Sequence, residues 1–220
     1  MKNIIFIAPP AAGKGTQSKL ISTEYNIPHI STGDLLRDEV ASGSAMGQFL
    51  KEEMDRGGLI SDDTMVNLLR TRISQVDCNN GYILDGYSRN VEQAKIYDNL
   101  MQELGKDIGM VIFMDIDREV ALKRTLSRIV CSSCGASYNR EVKELRPAID
   151  GFCDKCGHVL EVRSDDSMET FVNRFDTYIA QTKPLIDYYR NRGILQELRI
   201  EESDSAQDVF NNLKSIIGER

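Results

Sequence analysis

Apolar and polar positions along the chain alternate between two periods. Asn3–Ala8 is a β-branched apolar run that stops at Pro9-Pro10 and reads as a buried strand. Gly13–Tyr25 follows with helical spacing, Leu20 and Ile21 on its inner face. Pro28–Ile30 reads as a short second strand, and Ser31 or Thr32 caps a helix through Val40. Met46–Arg56 and Asp62–Ser74 read as two further helices, with Gly57-Gly58 between them. Gly81–Leu84 and Gly109–Met114 read as strands, each followed by a helical stretch, Val91–Leu104 and Glu119–Arg128. Met168–Thr182 is helical, and Pro184 is expected to bend or end that helix. Leu195–Ile200 is a fifth strand and Ala206–Ile217 a last helix.

Strand–helix units repeated five times predict an α/β fold: a parallel five-stranded sheet with helices on both faces. Val130–Arg163 breaks the pattern, with four of the five cysteines and no clean helical period. The expected organisation is a core of residues 1–31, 62–129 and 164–220 carrying two inserts, 32–61 and 130–163. With 220 residues the chain is one large domain, or one domain with inserts.

Charge and composition narrow the function. Twenty-seven basic and 34 acidic residues give a net charge of −7, which argues against a general nucleic-acid coat but allows a local cationic pocket. No stretch approaches the roughly 18 apolar residues of a membrane span. The apolar run at the N-terminus is too short for a signal sequence, so the expected location is cytoplasmic. Five cysteines are too few for a disulfide scaffold.

Ala8-Pro-Pro-Ala-Ala-Gly13-Lys14-Gly15-Thr16 lies between the first strand and the first helix, the context of a phosphate-binding loop. Backbone N–H groups and a helix N-terminus cradle a polyphosphate there, and Lys14 adds a point charge. Ala8 stands where the loop pattern has its first glycine, and Ala11 where glycine-like freedom would help. Either alanine costs about 1–2 kcal/mol if its position needs a positive φ. No hydroxyl directly follows Lys14, which leaves a magnesium ion to phosphates and water.

Cys131-Ser-Ser-Cys134-Gly135 and Cys153-Asp-Lys-Cys156-Gly157 form two knuckles separated by 18 residues. That spacing suits a structural zinc site, and the glycine after each knuckle can take the positive φ that closes it. Four thiolates leave no open position, so the metal is expected to be structural and to staple an insert too small for a core of its own. Iron instead of zinc, and His158 as a replacement ligand, stay open. Cys78 reads as a free thiol and His29 as a structural residue.

Five ordered segments resemble the adenylate kinases across essentially the whole chain. They are Gly13-Lys-Gly-Thr-Gln17; Ser31-Thr-Gly-Asp-Leu-Leu-Arg37; Leu84-Asp-Gly-Tyr-Ser-Arg89 with Gln93; Arg163-Ser-Asp-Asp166 with Arg174; and Thr182-Lys-Pro-Leu-Ile-Asp-Tyr-Tyr189. The form with a lid insert is the bacterial-type long variant, and zinc-bearing lids occur in that family. The resemblance implies reversible phosphoryl transfer between ATP-Mg and AMP, giving two ADP. It implies a helical AMP-binding insert at 32–61 and a zinc-ribbon-like lid at 130–163; nothing in the sequence demands more than a monomer.

Carried onto this sequence, Ala11, Ala12, Gly13, Lys14, Gly15 and Thr16 wrap the ATP phosphates, with Arg128, Ser137 and Tyr138 on the ATP side of the lid. Thr32, Arg37, Gly58, Leu59, Ile60, Gly86, Tyr87, Ser88, Arg89 and Gln93 form the AMP site, Gln93 reading adenine through its amide. Arg163 and Arg174 reach the transferred phosphoryl group and belong with the AMP-binding residues. Lys14, Arg89, Arg124 and Arg128 add catalytic charge, and Asp85, with Asp34 less directly, orders magnesium's waters. An AMP phosphate oxygen is already ionised, so no general base is needed, and none of the motifs holds a His or Cys. Dense positive charge and exclusion of water are what the reaction requires.

Two departures stand out. The family has Asp-Gly-Phe-Pro-Arg where this chain has Asp85-Gly-Tyr-Ser-Arg89, so a trans bond and a shifted loop are expected at Ser88. A glycine whose carbonyl faces the ATP adenine aligns with Glu202. Rival readings are another nucleoside monophosphate kinase, an inactive homologue, or a zinc-ribbon binding module on a nucleotide-gated scaffold. Residues 131–163 balance Arg140, Lys143, Arg146, Lys155 and Arg163 against Glu141, Glu144, Asp150, Asp154 and Glu161, which speaks against nucleic-acid binding by the insert.

Overall fold

The five expected strands pair as a parallel sheet. The computed structural model describes residues 3–55, 60–163 and 166–218. In chain order the elements are β1 (Ile4–Ile7), α1 (Lys14–Tyr25), β2 (His29–Ser31), α2 (Thr32–Ser42), α3 (Ala45–Asp55), α4 (Asp62–Ile73), β3 (Ile83–Asp85), α5 (Val91–Glu103), β4 (Met110–Ile116), α6 (Arg118–Leu126), β5 (Arg128–Cys131), β6 (Ser137–Asn139), β7 (Leu160–Glu161), α7 (Met168–Asn191), β8 (Leu195–Ile200) and α8 (Ala206–Ile217). The main sheet has the order β2-β3-β1-β4-β8, all parallel.

Strand alternation feeds two cores. Ile4 and Phe6 face one side with Ile83, Ile112 and Met114, under α1, α6 and α8. Ile5 and Ile7 face the other with Leu84 and Val111, under α4 and α5. Being buried on both faces explains why these strands read as continuous apolar runs.

Helix α7 runs unbroken through Pro184, against the expected bend or end. Its buried residues Phe171, Phe175, Thr182, Leu185 and Tyr189 share one stripe. Phe171 and Phe175 pack in the first core, Leu185 and Tyr189 in the second. Burial on both sides of the proline outweighs the roughly 3 kcal/mol that an interior proline costs.

Arg128 also departs from expectation, opening a strand instead of ending a helix. Ser127 terminates α6, its hydroxyl donating to the Lys123 carbonyl (2.7 Å), and Arg128 then pairs with Asn139. The irregular stretch after it holds a three-stranded antiparallel sheet, β6-β5-β7. Its strands of two to four residues are too short to show an alternating pattern.

Candidate active site and metal centre

Adjacent strands β1 and β3 send the chain to opposite faces: α1 packs in the first core and α5 in the second. A crevice therefore opens beyond their C-terminal ends, the switch point where α/β sheets bind ligands. The loop after β1 forms one wall and Gly86–Arg89 the other, around a cavity of about 1130 Å³.

The loop ends on Gly13 at φ 85°, and no side chain caps α1. The first-turn N–H groups of α1 thus point at whatever anion enters. Ala11 sits at φ 61°, in the left-handed region that favours glycine, whereas Ala8 lies outside it. Of the two alanines at glycine-like positions, only Ala11 carries strain. Gly86 is at φ 85°, and a Cβ there would stand 3.0 Å from the Thr32 hydroxyl. That hydroxyl donates to the Gly86 carbonyl (3.3 Å).

Lys14 reaches across the crevice to Asp85, Nζ to Oδ1 2.8 Å. His29 Nε2 lies 3.1 Å from the other oxygen, Oδ2. Burial alone would raise the Asp85 pKa, but the contacts from His29 and Lys14 outweigh it and hold the carboxyl below its ordinary value. Asp85 therefore stays an anion at the strand tip, which fits the water shell of a magnesium ion.

The cavity collects most of the expected cationic groups. Ala11–Thr16, Gly86–Arg89, Arg124, Arg128, Ser137, Tyr138, Arg163 and Arg174 all line it. Arg124 donates to the carbonyls of Glu201 and Asp204, both at 3.4 Å, and its burial draws its pKa down. Arg128 forks onto Asp166, Nε to Oδ2 2.7 Å, with the Asp166 carboxylate wholly buried. The described residues lining the cavity include no histidine and no cysteine.

Other expected site residues stand apart from that cavity. Asp85 and Thr32 are not in its lining but touch residues that are, Lys14 and Gly86. Arg37 is exposed and pairs with Asp34 one turn away, and Ile60 and Gln93 lie outside the lining. Gly58 and Leu59 fall outside the described residues. Glu202 does not line the cavity either: its carboxylate meets Lys123 at the surface (2.8 Å), and Asp204, Ser205 and Ala206 face the cavity from that turn. Among the described residues every peptide bond is trans, including that at Ser88, as expected. Ser88 is buried at φ 60°, a value no proline ring can reach, and its Oγ accepts from the Tyr189 hydroxyl (3.3 Å).

His29 and Asp166 both contact expected site residues, yet the sequence did not single either out for its contact. His29 and Asp85 are diagonal neighbours on one sheet face, through the pairing of His29 with Ile83. Only that register joins them across 56 positions of sequence. Asp166 sits in a recognised motif, but its partner Arg128 lies 38 residues away.

The cysteine cluster was legible. The Sγ atoms of Cys131, Cys134, Cys153 and Cys156 all lie within 4.8 Å of one another. The Cys131–Cys156 and Cys134–Cys153 separations are 3.4 and 3.5 Å. A tetrahedral zinc with bonds of about 2.3 Å needs sulfur–sulfur edges of about 3.8 Å, whereas a disulfide needs about 2.05 Å. The donor set therefore fits a four-thiolate metal. Gly135 and Gly157 take φ 66° and 72°, the conformation expected after each knuckle. Tyr138 accepts from the Asp154 N–H (2.9 Å) and places its hydroxyl 3.5 Å from Cys153 Sγ, joining the cavity wall to the cluster.

A phosphate-binding loop after the first strand of a parallel sheet, facing a cation-lined crevice, defines the class: a P-loop nucleotide-binding protein. A family model described as "Adenylate kinase" matches residues 6–194. The adenylate kinases of Clostridium tetani and Thermoanaerobacter sp. are 40% and 41% identical to the chain, over 98% and 99% of it and 98% of each relative. That of Archaeoglobus fulgidus is 42% identical over 98% of the chain and 97% of the relative. The chain belongs to the adenylate kinase family and is an enzyme of the nucleoside monophosphate kinase type. Among the described residues no helix is long and apolar enough to cross a membrane.

Proposed function

We propose that the protein transfers the γ-phosphoryl group of ATP directly and in line to AMP, giving two ADP, and does so reversibly. The observation that carries this is one cavity lined by Lys14, Arg89, Arg124, Arg128, Arg163 and Arg174 in an otherwise acidic chain. The first-turn N–H groups of α1 and Lys14 hold the ATP phosphates. Arg163 and Arg174 meet the transferring group, where charge spreads over its equatorial oxygens, and planar guanidinium forks suit those oxygens. Lys14 leaves Asp85 for the phosphates as ATP enters, which returns the Asp85 carboxylate to the solvent side of the crevice.

Magnesium bound with ATP neutralises phosphate charge, and Asp85, with Asp34 more remotely, orders its waters. Zinc on the four cysteines holds residues 130–163 together and takes no part in the chemistry. Residues 32–61 close over AMP and 130–163 over ATP, which excludes water as a competing acceptor. Thr32, Arg37, Gly58–Ile60 and Gly86–Arg89 bind AMP, and the Gln93 amide reads its adenine. The enzyme works as a cytoplasmic monomer.

The test is coupled detection of ADP from ATP plus AMP with magnesium, beside GMP, CMP and UMP, with Lys14→Ala as the blank. Turnover with AMP alone is expected. Turnover with a different monophosphate would overturn the acceptor assignment, and no turnover with any acceptor from folded protein would overturn the reaction.

A further inference from the structure

The Gln93 amide is held from both ends. Its Oε1 accepts from the Arg89 backbone N–H (2.9 Å), and its Nε2 donates to Asp62 Oδ1 (2.8 Å). Asp62 is the first residue of α4, and Gln93 lies in the first turn of α5, 31 positions away. An amide oxygen has two lone pairs and an amide nitrogen two hydrogens. Each end of Gln93 spends one on these partners and keeps one.

Only one orientation of the amide satisfies both neighbours. Turned by 180°, its oxygen would face the Asp62 carboxylate, acceptor against acceptor. Its NH₂ would face the Arg89 N–H, donor against donor. An ionised carboxylate has no proton to offer and cannot adapt. Asp62 and Gln93 are both half-buried, and the Arg89 contact lies at the surface.

We infer that Asp62 is a specificity-determining positioning residue, which locks the Gln93 amide in the orientation that accepts adenine and refuses guanine. The spare lone pair on Oε1 meets the adenine N6–H, and the spare N–H on Nε2 meets a ring-nitrogen acceptor. Guanine presents its O6 acceptor where adenine presents N6–H, so it meets the Oε1 lone pair and is repelled. Accommodating guanine requires the turned amide, which Asp62 opposes together with the Arg89 N–H. Discrimination thus rests in part on a carboxylate that need not touch the base. The inference depends on Gln93 reading the base, as proposed above.

The experiment measures kcat and KM for AMP and for GMP with the full-length enzyme, in wild type, Gln93→Ala, Asp62→Asn and Asp62→Glu. Asparagine keeps the size of Asp62 but can serve either orientation of Gln93, whereas glutamate remains acceptor-only. A good bidentate contact discriminates against the wrong base by about tenfold or more, so Asp62→Asn is expected to cut the AMP-over-GMP preference in kcat/KM by about tenfold. The change falls on KM, with GMP gaining relative to AMP, and Asp62→Glu moves the preference back towards wild type. A thermal melt of each variant accompanies the kinetics. A merely structural Asp62 would weaken both acceptors alike, leaving the ratio unmoved, and that result overturns the inference. If Gln93→Ala abolishes the preference while Asp62→Asn keeps it, the role of Asp62 alone falls. If Gln93→Ala itself keeps the preference, the adenine-reading role of Gln93 falls and the inference with it.

Discussion

Ala11 and Ala8 should respond in opposite directions to the same substitution. At Ala11, φ is 61°, where an L-residue sets its Cβ against the following carbonyl at a cost of about 1–2 kcal/mol. Ala11→Gly removes that strain but restores freedom to the unfolded chain, at a cost of about 0.4–1 kcal/mol. The net expectation is a gain of about 0.5–1 kcal/mol from these two opposing terms. Ala8 has no such strain, and it packs partly buried against the first core. Ala8→Gly therefore loses the same entropic term and part of a methyl burial worth about 0.8 kcal/mol, a destabilisation of about 1 kcal/mol. For a chain of this size 1 kcal/mol moves Tm by about 2–4 °C, so the two variants should melt about 4–7 °C apart, on opposite sides of wild type. Scanning calorimetry of the nucleotide-free proteins measures this directly, with urea melts checking that the m-value is unchanged. If Ala11→Gly lowers Tm as far as Ala8→Gly does, the loop stores no left-handed strain at Ala11.

Three further outcomes follow from the contacts described. Stripping metal from the four cysteines should lower or split the thermal transition, since residues 130–163 have only a small cluster around Ile129, Ala136 and Leu160 beneath them; an unchanged melt would show that the cluster binds no stabilising ion. The Asp85 pKa is lowered in the folded state, so its contribution to stability is full above the ordinary carboxylate value near 3.9 and is lost as pH falls through the lowered folded value. Asp85→Asn should flatten the decline in Tm between pH 5 and pH 2, and a decline as steep as wild type would count against the His29 and Lys14 contacts. Asp166→Ala leaves the largely buried Arg128 guanidinium without its carboxylate and should cost about 3 kcal/mol in urea unfolding, whereas a loss below 1 kcal/mol would mean that the pair is solvated.

What the sequence determined by itself is local. Apolar runs between turn signals marked the central strands β1, β3 and β4, because residues buried on both faces are continuously apolar, whereas the edge strand β8 alternates Leu198 and Ile200 with exposed polar residues. The Gly13-Lys14 turn and the paired cysteine knuckles were legible because their chemistry lies within a few neighbouring residues, and Gly135 and Gly157 took the φ their positions required. The tertiary structure decided whatever depends on partners far along the chain. Pro184 continues a helix because residues on both sides of it bury into two different cores. Arg128 opens a strand beside Asn139 and meets Asp166 across 38 residues. Glu202 turns to Lys123 and away from the cavity. The orientation of the Gln93 amide depends on Asp62 and Arg89 together, and no pattern within one segment encodes such a meeting. Periodicity reports which side of an element is buried; it carries no record of which buried or half-buried polar atoms will face each other once the elements pack.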